Sequence, residues 1–523
     1  MPIQSLKWRM EKLSKFLNDN LPLLLFWLFL GLFAGLVYAV EMLGLDGSMT
    51  LLSPERARSL HISQMLYGFF PLILSLLPFA LFEKEGVLSQ NGLKHLGRYF
   101  VVWNVFLLFM SMALLFGNIR GLPFYDFPYQ LNFLLAFSGV FYLLALLDAL
   151  KRYEKRPLWV NVSLLAVIAA PIALVVLMNP QYGQVEKTLV GPHGDNTLGM
   201  SFALIPIYYL LIKLSAPKAF ASRLHWLWVI PLAGYVASLI IRNFFHTLSY
   251  NEEWFFQYLT LLYLPLLWIW LRDAGIYFKT NPYLILSILA FIFVDVEGNI
   301  LFIPELRALI HRNDLVVGHA HIAMGLGVAF MALSIAHHLL PSLFKRVYAT
   351  AWAVLMSLMA VALSIAGLIE AGLMGGDIEP LLIVRTVFGV MVVALVVKIL
   401  YDRLIMPITT PLKIYHLIGF LGDALGGLAL LIAGGWLFGL LGFAFGGTYE
   451  YVVFAFVMGT GMIHWFGLHG DEDRLASLSA TIRLLISSTF AALYMAGILD
   501  ELALLIAFYD GVYAMIYFLG LRK

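Results

Sequence analysis

Asp314-Leu-Val-Val-Gly-His319-Ala-His321-Ile-Ala-Met-Gly325 opens an apolar run that continues to about residue 342. A run this long matches the roughly 20 residues that carry a helix across a hydrocarbon core of about 30 Å. Residues two apart on a helix project about 200° from one another, because each residue turns about 100°. His319 and His321 are therefore expected on opposite flanks of one membrane rod. Neutral imidazole is an ordinary metal ligand, and ionisable residues inside a membrane carry a functional presumption.

Outward from this stretch the same texture covers the 523-residue chain, which is 62% apolar and 12% charged. Soluble domains carry about 25% charged residues. Apolar stretches fall near 22–43, 59–82, 98–117, 128–150, 158–178, 196–215, 224–247, 253–271, 281–303, 315–342, 347–374, 379–404, 414–443, 447–468, 480–497 and 500–520. They are unbroken and do not alternate with polar residues, so they read as helices rather than barrel strands. The expected fold is an all-α, polytopic transmembrane bundle of about 14–16 helices, with the last two stretches alternatively one re-entrant hairpin. The first stretch is too long for a signal-peptide core and is read as a retained span. Placing the N-terminus in the cytoplasm puts 25 of the 33 lysines and arginines on that side, 6 outside and Arg242 and Arg385 within spans. That is the bias of the positive-inside rule, as expected for a prokaryotic plasma membrane. There is no cysteine, which removes disulfides, iron–sulfur clusters and covalently attached haem from this chain. The charge of +2 gives no reason to expect nucleic acid.

In this topology His61, His193, His246, His319 and His321 all fall near the outer end of the membrane, although they are distant in sequence. The motif Gly318-His319-Ala320-His321 with Gly325 resembles the tenth helix of subunit I in the haem–copper oxidase superfamily. It looks closest to C-type oxidases and nitric oxide reductases. Leu60-His61-Ile-Ser-Gln-Met-Leu-Tyr-Gly-Phe-Phe-Pro71 is similar to that family's second helix. Trp103-Asn104, the loop Gly117–Pro128 and Glu379-Pro-Leu-Leu-Ile-Val-Arg385 resemble the third and twelfth helices. The resemblance implies a twelve-span core over 22–405 after a cytoplasmic segment 1–21, leaving 406–523 as additional transmembrane helices to which it assigns no role. It implies two haems of b type. His61 and His321 would hold the low-spin one and His319 the high-spin, catalytic one, with His311 and Arg385 near the propionates.

The family's second metal is held by three histidines, and here the pattern departs. Asp195 stands where the sixth-helix histidine belongs, with His193 two residues earlier, and Phe245-His246 stands in place of a His-His pair. Two readings stay open. Asp195, His246 and His193 hold a non-haem metal, iron being favoured over copper by the harder oxygen donor. Alternatively that metal is lost and Asp195 is a helix N-cap. Oxygen-reducing relatives carry a tyrosine six residues before the pair, and Leu239 occupies that place, which tilts the substrate from oxygen toward NO. The expected activity is that of a nitric oxide reductase-like catalytic subunit fed by a partner subunit, a soluble carrier or quinol. A terminal oxidase and a non-catalytic haem electron carrier are the alternatives. Asp295 and Glu297, within the ninth span, are expected to carry protons or to pair with Arg242 or Arg385, the structural pairing being favoured. His337-His338 is read as an interfacial pair.

Overall fold

The computed structural model describes residues 11–44, 52–121, 126–165, 168, 204–217, 220, 225–301, 303–310, 313–341, 345–404, 410–440, 444–469, 472–499 and 501–521. Every regular element among the described residues is helical. Among the described residues thirteen continuous helical segments are long and apolar enough to cross a membrane, and Leu204–Ser215 and Trp226–Arg242 are shorter apolar helices. The chain is an all-α polytopic bundle. It divides into two compact units, one of Met1–Leu43 with Pro54–Val397 and the other of Gly44–Ser53 with Lys398–Lys523.

The first unit begins with α1 (Glu11–Glu41), which starts well before the apolar stretch expected at residue 22. Its early start has a physical cause. The carboxylate of Glu83 accepts from the backbone N–H groups of Lys12 at 2.9 Å and Leu13 at 3.0 Å, supplying acceptors to donors that a helix start would otherwise leave unpaired. The second span is broken into α2 (Pro54–Tyr67), α3 (Phe69–Leu74) and α4 (Leu77–Lys84). Pro71 has no N–H to return to the Tyr67 carbonyl, and the Trp103 indole donates to that oxygen at 2.8 Å instead. Trp103 lies on α5 (Gln90–Leu115), which packs against α6 (Asn132–Leu150). Next come α7 (Leu204–Ser215), α8 (Trp226–Phe244), α9 (Tyr250–Tyr258), α10 (Tyr263–Ala274), α11 (Pro282–Leu301) and α12 (Pro304–Ile310).

The double-histidine helix α13 (Asp314–Ile322) passes without a break into a π-helical segment, Ala323–Val328, and then α14 (Ala329–Leu339). A π turn displaces carbonyls from the regular ladder, and in lipid each one needs another donor. Trp352 Nε1 donates to the Gly325 carbonyl at 2.7 Å and Ser287 Oγ to that of Gly327 at 2.7 Å. The N-terminus of α13 is capped by Asn313, whose side chain accepts from Leu315 N at 3.0 Å and donates to the Gly367 carbonyl at 2.8 Å. Gly367 lies on α15 (Arg346–Glu370), which crosses α13 closely. A Cβ at Gly367 would fall 2.0 Å from Leu315 N, and one at Gly318 would fall 3.0 Å from the Ala360 carbonyl. Both glycines are needed for the two backbones to approach. The last helix to begin in this unit is α16 (Glu379–Leu404).

The second unit contains α17 (Pro411–Gly419), a π segment Phe420–Leu425, α18 (Gly426–Leu440), α19 (Thr448–His469), α20 (Glu472–Met495) and α21 (Glu501–Ile516). The last pair are two separate helices, each long and apolar enough to cross a membrane. Arg483, expected at the cytoplasmic boundary, is instead buried on α20. It is held by two aspartates whose position sequence distance concealed.

Gly367→Ala places a methyl against the Leu315 backbone. It is expected to cost about 1–3 kcal/mol, as overpacking does. The measurement is the thermal unfolding midpoint in detergent, and an unchanged midpoint would contradict the close crossing.

Candidate functional site

His61 occupies the first-unit helix α2 and is seated on α1. Its Nδ1 lies 2.8 Å from the Gly31 carbonyl, and a Cβ at Gly35 would fall 2.5 Å from the same nitrogen. Only glycine lets the ring lie this close to the neighbouring rod. His321 directs its Nδ1 to the Val317 carbonyl of its own helix at 2.7 Å. The two ring centroids are 6.2 Å apart, with an angle of 20° between the planes. A ring nitrogen facing a carbonyl oxygen must carry the hydrogen, so the lone pair of each ring resides on Nε2. Neither Nε2 has a hydrogen-bond partner among the described residues. Both rings lie within the bundle yet are only half-buried, so each retains open surface.

The donor set can be tested against a metal clasped between two imidazoles. A metal–nitrogen bond of about 2.0 Å on each side, plus about 1.1 Å from nitrogen to ring centre, separates the centroids by roughly 6.2 Å. The observed centroid spacing equals this value, and both Nδ1 atoms are already oriented by carbonyls, as metal-bound histidines usually are. Arg385 adds a second signal. It donates Nη2 to the Ala39 carbonyl at 3.2 Å, but its buried Nε has no partner among the described residues. It is close enough to His321 and Asp314 to interact electrostatically. A guanidinium with an unused donor near the His321 imidazole suits an acidic group on a bound cofactor.

His319 leaves α13 on the other flank, toward α11. Its Nδ1 is 3.1 Å from Glu297 Oε2, and a Cβ at Gly298 would fall 3.2 Å from its Cε1. A carboxylate on Nδ1 fixes the ring and makes the opposite nitrogen a stronger donor to a metal. Next to Glu297, Asp295 Oδ1 accepts from Thr260 Oγ1 at 2.7 Å, while Asn299 Nδ2 donates to the Asp295 carbonyl at 2.7 Å. Asp295 Oδ2, Gln257 Oε1 and Asn299 Oδ1 are buried with no donor among the described residues. Buried oxygens without a donor are suited to accept protons or water. The expected pairing of these two carboxylates with Arg242 or Arg385 is thus replaced by Glu297–His319 and Asp295–Thr260.

The remaining candidates do not join this arrangement in the described residues. His246 follows α8 in an exposed segment with its side chain 54% exposed, and its Nε2 lies 3.6 Å from Glu252. Glu252 already completes a capping box with Ser249. His193, Asp195 and His311 lie outside the described residues. Among the described residues no group of three or more His, Asp or Glu side chains is arranged to hold a metal ion. His337 packs its ring 4.5 Å from that of Tyr283.

No family model matches this chain, and no curated protein matches it. The site's geometry therefore stands by itself. The partner that sequence reading missed is Glu297, for which the adjacent Gly298 was the available signal, since a small residue marks a close neighbour.

Glu297→Ala leaves His319 Nδ1 without its acceptor and is expected to cost roughly 1–3 kcal/mol, with Glu297→Gln losing less. Thermal unfolding of the two variants in detergent measures this, and equal midpoints for both and the parent would contradict the pairing.

Proposed function

We propose that this chain is the haem-bearing catalytic subunit of a membrane reductase similar to nitric oxide reductases. The observation that carries the reading is the pair of ligand-ready imidazoles, His61 and His321, whose 6.2 Å spacing suits a shared iron, with His319 directed to the opposite flank of the same helix. His61 and His321 would hold a low-spin haem and His319 a high-spin haem, both of b type. When bound, these groups would supply one-electron transfer and an open iron for a small gaseous substrate.

The chain's own residues then have defined tasks. The carbonyls of Gly31 and Val317 hold His61 and His321 in the tautomer that presents Nε2. Glu297 holds His319 and raises its basicity. Arg385 offers its unused Nε to a propionate. Asp295, with Thr260, Asn299 and Gln257, provides a polar route along which protons reach the His319 side. Joining two NO molecules consumes two electrons and two protons and yields N2O and water. It needs no tyrosine radical, in keeping with Leu239 at that sequence position. The electrons would come from a partner subunit, a soluble carrier or quinol. A non-haem metal at Asp195, His193 and His246 belongs to this reading only through the resemblance, and no step is assigned to it.

Purified protein is expected to contain two b-type haems per chain and to form N2O from NO with a reductant. His321→Ala is expected to lose the low-spin pigment and keep the other. A colourless protein would overturn the haem assignment, and oxygen consumption without N2O would overturn the substrate assignment while leaving the haems in place.

A further inference from the structure

The second unit carries its own buried polar centre, to which the proposed reductase function assigns no role. His416 on α17 and His464 on α19 are both 0% exposed, and their Nδ1 atoms are 3.1 Å apart. Each ring is accommodated by a glycine three residues along the partner helix from the other histidine. A Cβ at Gly467 would fall 2.2 Å from His416, and one at Gly419 would fall 2.5 Å from His464. His416-Leu-Ile-Gly419 and His464-Trp-Phe-Gly467 thus pack reciprocally, each histidine over the other's glycine.

From this pair a continuous polar chain crosses the bundle. His464 Nε2 lies 2.8 Å from Ser479 Oγ and 3.9 Å from Asp423 Oδ2. Asp423, on the π segment, is bound by Arg483 Nη2, and Arg483 Nη1 binds Asp510 of α21. Tyr513 stacks 4.3 Å from the guanidinium and donates its hydroxyl to the Tyr415 carbonyl. The groups facing the imidazole pair are Tyr415 and Asp423 beside His416, Ser479 and Arg483 from α20, and Tyr509, Asp510 and Tyr513 from α21.

Two constraints on this centre point to one ligand. The Nδ1–Nδ1 contact requires a single hydrogen between the rings, because two would collide and none would leave lone pairs opposed. The fixed charges, two aspartates and one arginine, sum to −1 inside an apolar bundle, where an uncompensated charge is costly. One added proton brings the centre to neutrality. We propose that the second unit is a buried proton-binding site, in which one proton is shared between the His416–His464 pair and Asp423. His464 Nε2 faces both Ser479 Oγ and the Asp423 carboxylate, and Arg483 holds the carboxylate in place. The proposal does not depend on haem.

The test is infrared titration of the full chain in lipid nanodiscs, with isotope-labelled histidine, from about pH 9 to about pH 5. The expected result is a titrating imidazole or carboxylic-acid band corresponding to one proton per chain, absent in His464→Gln. Asp510→Asn, nearly isosteric, removes one negative charge. It is expected to weaken proton affinity about tenfold or more, moving the midpoint about one pH unit toward acid. This second variant decides the matter should His464→Gln fail to fold. Identical titrating bands in the parent and Asp510→Asn would overturn the proposal. So would one bound zinc or copper per chain that is lost in His464→Gln, which would make the imidazoles metal ligands.

Discussion

A helix advances about 100° per residue, so two side chains separated by one residue cannot face the same neighbour. In α13 this rule sends His321 toward His61 on α2 and His319 toward Glu297 on α11. The division holds only if α13 is fixed in rotation about its own axis. Gly318 and Gly367 fix it, because their missing side chains let α13 and α15 approach until neither can turn. Asn313 adds a second lock by joining the α13 N-terminus to the α15 backbone. The geometry of both histidines follows from that crossing.

Lipid imposes the second constraint, since an unpaired backbone group there finds no water. Irregular backbone occurs close to both histidine sites, and side-chain donors compensate it. Trp103 serves the carbonyl freed by Pro71, below His61, and Trp352 and Ser287 serve the π segment that follows His321. The second unit repeats the juxtaposition with a π segment directly after α17, where it carries Asp423. In each unit a departure from α-geometry sits beside a pair of neighbouring histidines, a pattern often found at functional positions.

The membrane spans were legible because lipid demands long apolar runs, and α13 through α16 begin and end within a few residues of the expected limits. The opposite flanks of His319 and His321 were legible because helical periodicity alone dictates them. Partners supplied by other helices were not. Glu297 was noticed as an intramembrane carboxylate, but its acceptance from His319 depends on how α11 is rotated against α13. Arg483 looked like a boundary cation because the counts of positive charge ignore depth, and only Asp423 and Asp510, 60 and 27 residues away, explain its burial. The helix start at Glu11 likewise depends on Glu83, a residue on another rod.

The most direct test of the account asks whether His61 and His321 ligate one iron. Paramagnetic resonance of the oxidised protein should show a low-spin signal of a bis-imidazole iron. That signal should vanish in His61→Gly and return when free imidazole is added. A parent protein without the signal, or a signal that persists unchanged in His61→Gly, would contradict the central claim.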